Sequence, residues 1–524
     1  MASVALMLLP RVPLRKLCEN DRFFYMDRLE QYFRGTQDDG KRYDWNGSPR
    51  GMGGLEPLPM APGFYVSLDR RRPSTRKRFA RLVTASLTEM SVDGDAFPEI
   101  NVDGDDAAQK ALREWSKLML LPQKMGEARD NGGQHGTACL SLGVIANAFA
   151  VDVHNAKHCT VLEWANRQKL LPARVLKAYL FKKPVFEGGE RKVKDFWYVR
   201  YWDMSVDITW EAVPAELAEQ PDWMDKIAPS FVGDHGFGFC PFYWTQNLPN
   251  SEEEDGDGDY EGLEDKFDEY NRLLSATTKG TTFNVDPTLV IKSEDDEQPV
   301  TKGSGAVIHS PGGAEFLELA GGSVKAALEL MSELRVSILE ECQVVRPRDE
   351  EAKSGMAQSA AAKRLQYAPM IARCNRLRPQ YGSTLTRILE DVLKVARKVR
   401  AKPALQIMND MGAVVMEHKE TLTPDLDPGE VESVTLKWPP YFQPTSQDVK
   451  DTVSIAQAAT GGKPLLSQKS GVDYVGHLFG VVDTDLELQE IEADADKDAE
   501  RTAEALKTQV GIEGAGGDDK DGDE

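Results

Sequence analysis

The feature that most constrains this chain lies at its centre: two amphipathic helical stretches enclose a short segment that can continue neither. From residue 262 to 280, Leu263, Phe267, Tyr270, Leu273 and Leu274 fall on one face at helical spacing. From about 323 to 343 a second stripe follows, made of Val324, Leu328, Met331, Leu334, Ile338 and Cys342. Between them, residues 281–322 hold a short apolar strand (288–291), Gly- and Pro-rich turns, and a second apolar piece (316–319). The pattern predicts helix, small β insertion, helix.

The flanks are mixed. Phe79, Leu82, Val83 and Leu87 recur at helical spacing, and residues 107–119 are helical in pattern. Gly132, Gly133 and Gly136 precede an apolar segment, 139–153, that fits either a buried helix end or a strand. Residues 175–210 are strand-like: Val206, Ile208 and Trp210 alternate with polar residues, and Trp197 and Trp202 read as core. Residues 236–244 and 432–438 are further strand candidates, 355–400 a long helix kinked at Pro369 and Pro379, and 444–490 a helical cluster. The fold class expected is α+β, mainly helical.

Charge excludes some functions. The 524 residues carry 63 Lys and Arg against 85 Asp and Glu, a net charge of −22. A free-standing nucleic-acid binder needs a basic balance, so tight nonspecific DNA binding is not expected, although touching DNA without holding it is compatible. Residues 252–269 contain eleven acids and one base, and 492–524 contain twelve acids and four bases, an acidic tail expected to be disordered. Residues 346–400 run the other way, with thirteen bases and five acids. No run approaches the roughly 18 apolar residues of a membrane helix, and residues 4–9 are too short and Pro-broken for a signal peptide. Six cysteines without a C-x-x-C pair point to free thiols in a reducing compartment.

Catalytic signatures are sparse. Neither a G-x-x-x-x-G-K-[ST] nor a G-x-S-x-G motif occurs. Asp255, Asp257 and Asp259 imitate the start of a calcium loop. Its sixth position is Tyr260 where Gly is needed and its twelfth is Lys266 where Glu is needed, so a solvated acidic linker is the better reading. His154 and His158, four apart with Cys159 adjacent, would share a face if helical and could hold a metal, but no third carboxylate lies near. They are expected to be surface or interface histidines. No metal and no cofactor is expected.

The order of segments resembles the portal proteins of tailed double-stranded DNA bacteriophages. The resemblance rests on Cys240-Pro-Phe-Tyr-Trp-Thr-Gln-Asn247 followed by the acidic run and the helix from Leu263 to Leu274. It rests also on Lys353-Ser-Gly-Met-Ala-Gln-Ser359 opening a long helix, and on Trp438-Pro-Pro-Tyr-Phe-Gln-Pro-Thr-Ser446 followed by the helical cluster. It implies a noncatalytic subunit of a twelve-membered ring at one capsid vertex. The fold implied is a wing (1–261, ending in the acidic linker, and 401–443), stem helices (262–280 and 323–343), a clip (281–322), a tunnel loop (344–354), the long helix (355–400), a crown (444–491) and the tail. It further implies a location in the virion after synthesis in the bacterial cytoplasm. The implied partners are other copies of the chain, transiting double-stranded DNA, the large terminase subunit as motor, a head–tail adaptor, and capsid and scaffolding proteins, with no membrane.

Geometry can be tested independently. Twelve parallel helices ~10 Å apart close at a radius of about 19 Å, and removing a helix half-width of ~5 Å leaves a bore of about 28 Å. Duplex DNA, roughly 20 Å across, fits with room for water. Acidic residues on the stem (Asp265, Asp268, Glu269, Glu329, Glu333, Glu340, Glu341) would let DNA slide if they line the bore. Spacing alone leaves open that they point outward or pair between neighbours. Close DNA contact is expected from the loop residues Arg346, Arg348, Asp349, Glu350, Glu351 and Lys353, whose mixed signs suit transient touching. Arg364, Arg373, Arg376 and Arg378 are expected to bridge to acidic neighbours in the ring. Two rivals are another head–tail connector ring and a metal-dependent hydrolase using the Asp-rich stretches or His154 and His158.

Overall fold

The computed structural model describes residues 10–50, 66–102, 106–145, 148–166, 171–187, 190–285, 289–292, 307–309, 313–316, 322–346, 360–401, 405–408, 414–418, 433–442, 446–460, 466–476, 487–491, 493–495, 497 and 501. It is mixed α+β, and its contacts divide the chain into two units. The first comprises residues 1–346 and 368–441, the second 347–367 and 442–524.

The first unit begins with helices α1 (Leu14–Cys18), α2 (Asp21–Arg34), α3 (Phe79–Ser91), then strand β1 (Glu99–Val102), and helices α4 (Asp106–Leu118) and α5 (Leu121–His135). The apolar segment after the glycines is a strand pair, not a helix end: β2 (Thr137–Ile145) and β3 (Ala148–His154). β4 (Cys159–Trp164), β5 (Pro172–Glu187), β6 (Glu190–Trp202), β7 (Val206–Pro214) and β8 (Phe231–Asp234) form an antiparallel meander in that order. Its alternating residues Val206, Ile208 and Trp210 are buried with Trp197, Val199 and Tyr201 against α1. Their inward face is one side of a pleated sheet, which is why the period-two pattern was legible. β9 (Phe242–Gln246) joins β2 from the other side. It is shorter than the 236–244 strand expected, because Gly236 and Gly238 both turn with positive φ.

Helix α6 (Glu264–Val285) and helix α7 (Gly322–Glu341) bracket a three-stranded sheet. In it β10 (Leu289–Lys292) is central, parallel to β11 (Val307–His309) and antiparallel to β12 (Gly313–Phe316). Helix α8 (Ala360–Gln366) ends before Tyr367, and α9 (Ala368–Ala401) runs as one helix through Pro379. The break therefore lies two residues before Pro369. β13 (Leu405–Met408) and β14 (Val414–His418) pair with each other, and β15 (Val434–Lys437) returns to pair antiparallel with β1. In the second unit, α10 (Ser446–Thr460) turns into α11 (Gln468–Gly476), with the Leu466 amide donating to the Ala459 carbonyl at 3.1 Å. All six cysteines are buried and unpaired.

Candidate functional site

The acid-rich run 252–269 splits at Gly262 into two regions with opposite fates. The first, residues 251–261, is not a solvated linker, and the reading of it as one is corrected here. It threads against the end of α5 and the end of β9. The Asp259 amide donates to the Gly133 carbonyl (2.8 Å), the Asn247 amide to the Gly136 carbonyl (2.8 Å), and the Asp257 amide to the Leu248 carbonyl (2.9 Å). The glycines are required. A Cβ at Gly133 would collide with the Asp259 carboxylate and the Arg129 guanidinium, and Gly136 takes the left-handed region at φ 80° with the Gly256 carbonyl pressed against it.

Two arginines clamp the loop from behind. Both terminal nitrogens of Arg129 donate to the Asp259 carboxylate at 3.0 Å, and both side chains are 0 % exposed. Asn247 Nδ2 adds a third donor at 3.2 Å, and Arg373 donates to the Asp259 carbonyl at 3.1 Å. Burial pulls the Arg129 guanidinium down, but the charge of Asp259 outweighs it and holds it above its ordinary value. Asp255 is gripped by Arg22 through Nε (2.6 Å) and Nη2 (2.9 Å), with Thr137 Oγ1 at 2.8 Å. These carboxylates are consumed by arginines and do not form an ion-binding loop. What remains outside is a crest of exposed acids, Glu252, Glu253, Asp257 and Glu261.

The second region is the helix pair. Lys266 donates to Ser337 Oγ (3.0 Å) and pairs with Glu341, while Gly280 faces Val324 at the other end. The two helices are therefore antiparallel. Met331, Ile338 and Cys342 are buried, and Glu329, Glu333 and Glu340 fall on the opposite side of α7, all exposed. None of these three acids has an ion-pair partner among the described residues. On α6, Asp265 and Glu269 are exposed, with Glu269 3.7 Å from Arg272. Asp268 differs from them. It is half-buried and accepts a hydrogen bond from Tyr32 (3.0 Å), and burial raises its pKa despite that bond. Leu328, expected on the inner stripe, is 53 % exposed. The first half of α6 is built into the body: Asn271 Oδ1 accepts from the Lys77 amide (2.8 Å), and Ser275 bonds Thr75 in both directions.

At the end of this pair lies a cationic group that the sequence does not announce. Lys77, over the rings of Phe79 (5.3 Å) and Tyr270 (6.0 Å), has its ammonium pKa depressed by burial and then by the charges of Arg335 and Arg346. Arg346, exposed, touches Ser86 Oγ at 3.3 Å. The three residues come from positions 77, 335 and 346, so only the fold joins them. Arg348, Asp349, Glu350, Glu351 and Lys353, which complete the expected contact loop, lie outside the described residues.

Other candidates resolve differently. His154 and His158 do not share a helix: one ends β3 and the other ends a single 3-10 turn, Ala156–His158. His154 is a buried core residue rather than a surface one, stacked on Phe242 at 5.6 Å. Its Nδ1 accepts from Lys177 Nζ (2.9 Å), so Nε2 carries the proton toward Ser141 Oγ (2.8 Å). Both ring nitrogens are engaged, and burial with Lys177 and Arg200 nearby holds its pKa well below 6.5. Arg373 and Arg378 do not reach out to neighbours either. Arg373 serves the crest, and Arg378 donates to the carbonyls of Ser91 (3.2 Å) and Pro439 (3.0 Å) over the rings of Trp438 and Tyr441. Arg364 and Arg376 are exposed.

Among the described residues no cluster of three or more His, Cys, Asp or Glu is placed to hold a metal ion, and no helix is long and apolar enough to cross a membrane. Comparison of the chain with protein-family models and with curated proteins returns no match.

Proposed function

We propose that this chain is a portal subunit: copies close into a twelve-membered ring at one vertex of a phage capsid, and double-stranded DNA passes through the pore during packaging and ejection. ATP hydrolysis belongs to a separate motor that docks on the ring, as tail adaptors do later. The observation that carries the reading is the antiparallel α6–α7 pair around a small sheet, with the acids Glu329, Glu333 and Glu340 on the face opposite the buried seam. At 22 and 20 residues these helices are about 30 Å long. A ring of twelve such helices leaves a bore of about 28 Å, and an acidic wall there repels phosphate, so DNA slides. The Lys77, Arg335 and Arg346 group at the root of the loop supplies a few phosphate contacts, enough to touch and too few to clamp.

Against the hydrolase rival, both nitrogens of His154 are engaged, and Asp255 and Asp259 are held by arginines. Native mass and averaged electron micrographs down the ring axis test the portal reading. Twelve chains of 58.2 kDa come to about 698 kDa, and an open hole wide enough for duplex DNA is expected. A stable monomer at high concentration, or a ring with a narrower hole in every state, overturns it.

A further inference from the structure

The β5–β6 hairpin outgrows its sheet. β4 leaves β5 after Lys177, and β7 leaves β6 at Phe196, yet β5 and β6 stay paired from Lys182 with Asp195 out to Glu187 with Glu190. Six residue pairs, about 20 Å at 3.3 Å each, thus form a two-stranded ribbon with no third strand on either edge among the described residues. Such a ribbon is marginal in water without something to lie against.

Its two faces differ. Pro184 and Phe186 alternate onto one face with Val193 and Arg191 opposite them, and Phe186 is 77 % and Val193 63 % exposed. The other face carries Lys183, Lys192 and Lys194 together with Val185 and, at its end, Glu190. With an exposed apolar patch on one face, lysines on the other, and five bases against three acids over residues 182–195, the ribbon suits an acidic, partly apolar partner.

We propose that this ribbon is an intersubunit arm that lies on the acidic crest of a second copy of the same chain. A cyclic ring is built from heterologous contacts, in which two different patches meet at every interface. A ribbon with an excess of bases is a poor match for a second copy of itself, and the chain offers an acid-rich surface. Glu252, Glu253, Asp257 and Glu261 are exposed on the crest, and Phe24 (59 % exposed) and Tyr25 (44 %) stand beside them, with Tyr25 donating to Glu261. The Arg22–Asp255 and Arg129–Asp259 clamps hold that surface still, so it is ready-made for docking. DNA is the poorer occupant, because a body of net charge −22 repels a polyanion from an arm with few lysines. This inference rests on the ring reading and adds to it which surfaces meet.

The test uses Phe186→Cys labelled with a thiol-reactive benzophenone, the six native cysteines being buried. Nitrogen-14 and nitrogen-15 chains are co-assembled, irradiated with and without a 30-base-pair duplex, and digested for mass spectrometry. Mixed-isotope links from position 186 to peptides covering 21–28 or 251–261 are expected. A ring of full mass with only same-isotope links, or links to the duplex instead, overturns the arm while leaving the ring reading intact. A wild-type chain that stays monomeric overturns both. As an independent readout, the double variant Lys183→Glu, Lys192→Glu should raise the half-dissociation concentration of the ring at least tenfold. Adding Glu252→Lys, Glu253→Lys and Glu261→Lys should restore it, and an unchanged ring in the first variant counts against the arm.

Discussion

The crest and the outer face of α7 are built from the same residue type and use it in opposite ways. In the crest, Asp255 and Asp259 are withdrawn from water and spent on Arg22 and Arg129, so the loop is pinned to helices α2 and α5. On α7, Glu329, Glu333 and Glu340 stand in solvent with no ion-pair partner among the described residues, and they leave the helix free to present charge. A run of acids in a sequence therefore predicts neither solvation nor function. The partner arginines decide, and here they lie more than a hundred positions away.

The comparison breaks first at Asp259. Removing one partner of a buried pair leaves an uncompensated charge, which costs about 3–5 kcal/mol. Asp259→Ala should therefore lower the denaturant midpoint of the purified protein by far more than any exposed acid does. Replacing both residues, Arg129→Met with Asp259→Met, should recover much of the loss, because the desolvation of both charges then disappears. A loss below about 1 kcal/mol in Asp259→Ala would show that the clamp is not what fixes the crest.

How much of this was legible follows from range. The α6–α7 pattern could be read because Phe267, Met331 and Ile338 obey a local period, and the meander because Val206, Ile208 and Trp210 do. The clamp could not be read, since Asp259 finds Arg129, Asn247 and Arg373 only after three elements have packed. Gly133 and Gly136 were visible as glycines, but their reasons, the Asp259 and Arg129 side chains against the first and the backbone of 256–257 against the second, are tertiary. Arg373 and Arg378 misled for the same cause: a basic helix face resembles an interface until Asp259 and the Met90–Ser91 and Pro439 carbonyls are placed beneath it.

A second test sharpens the comparison through pH, beneath the crest. His135 closes the helix that carries Gly132 and Gly133, 3.8 Å from Glu30, and His158 lies near it. Burial, then the Lys157 charge, pushes His158 down to about 4, and burial also lowers His135, His154 and His235. An unfolded histidine binds its proton near 6.5. Between that value and the folded one, the unfolded state holds more protons, so stability is full above pH 6.5 and declines as pH falls toward 4. Glu30 extends the decline at its acid end: Lys157, paired with it, and His135, 3.8 Å away, overcome burial and hold it below the usual carboxylate range, so its contribution is lost as pH falls below 4.5. The thermal midpoint should drop between pH 7 and 5, and His158→Phe should remove up to about 2 kcal/mol of the stability change over that interval. A midpoint that rises on acidification would put the histidines in water rather than in the core.

The smallest expected effect on folding is the most telling about function. Glu329→Gln, Glu333→Gln and Glu340→Gln together should move stability within about 0.5 kcal/mol, because exposed side chains away from caps and cores contribute little. If the acids line a DNA path, the same triple variant removes three negative charges per copy, thirty-six around a ring of twelve. Weaker repulsion lets counterion-releasing contacts from Lys77, Arg335 and Arg346 dominate, so DNA should stick to the ring with a steeper salt dependence than in wild type. Measuring duplex retention across a salt series separates the two regions: Asp259→Ala should alter folding and the triple variant should alter DNA release. Unchanged retention in the triple variant at every salt concentration would place the acidic face on the outside of the ring.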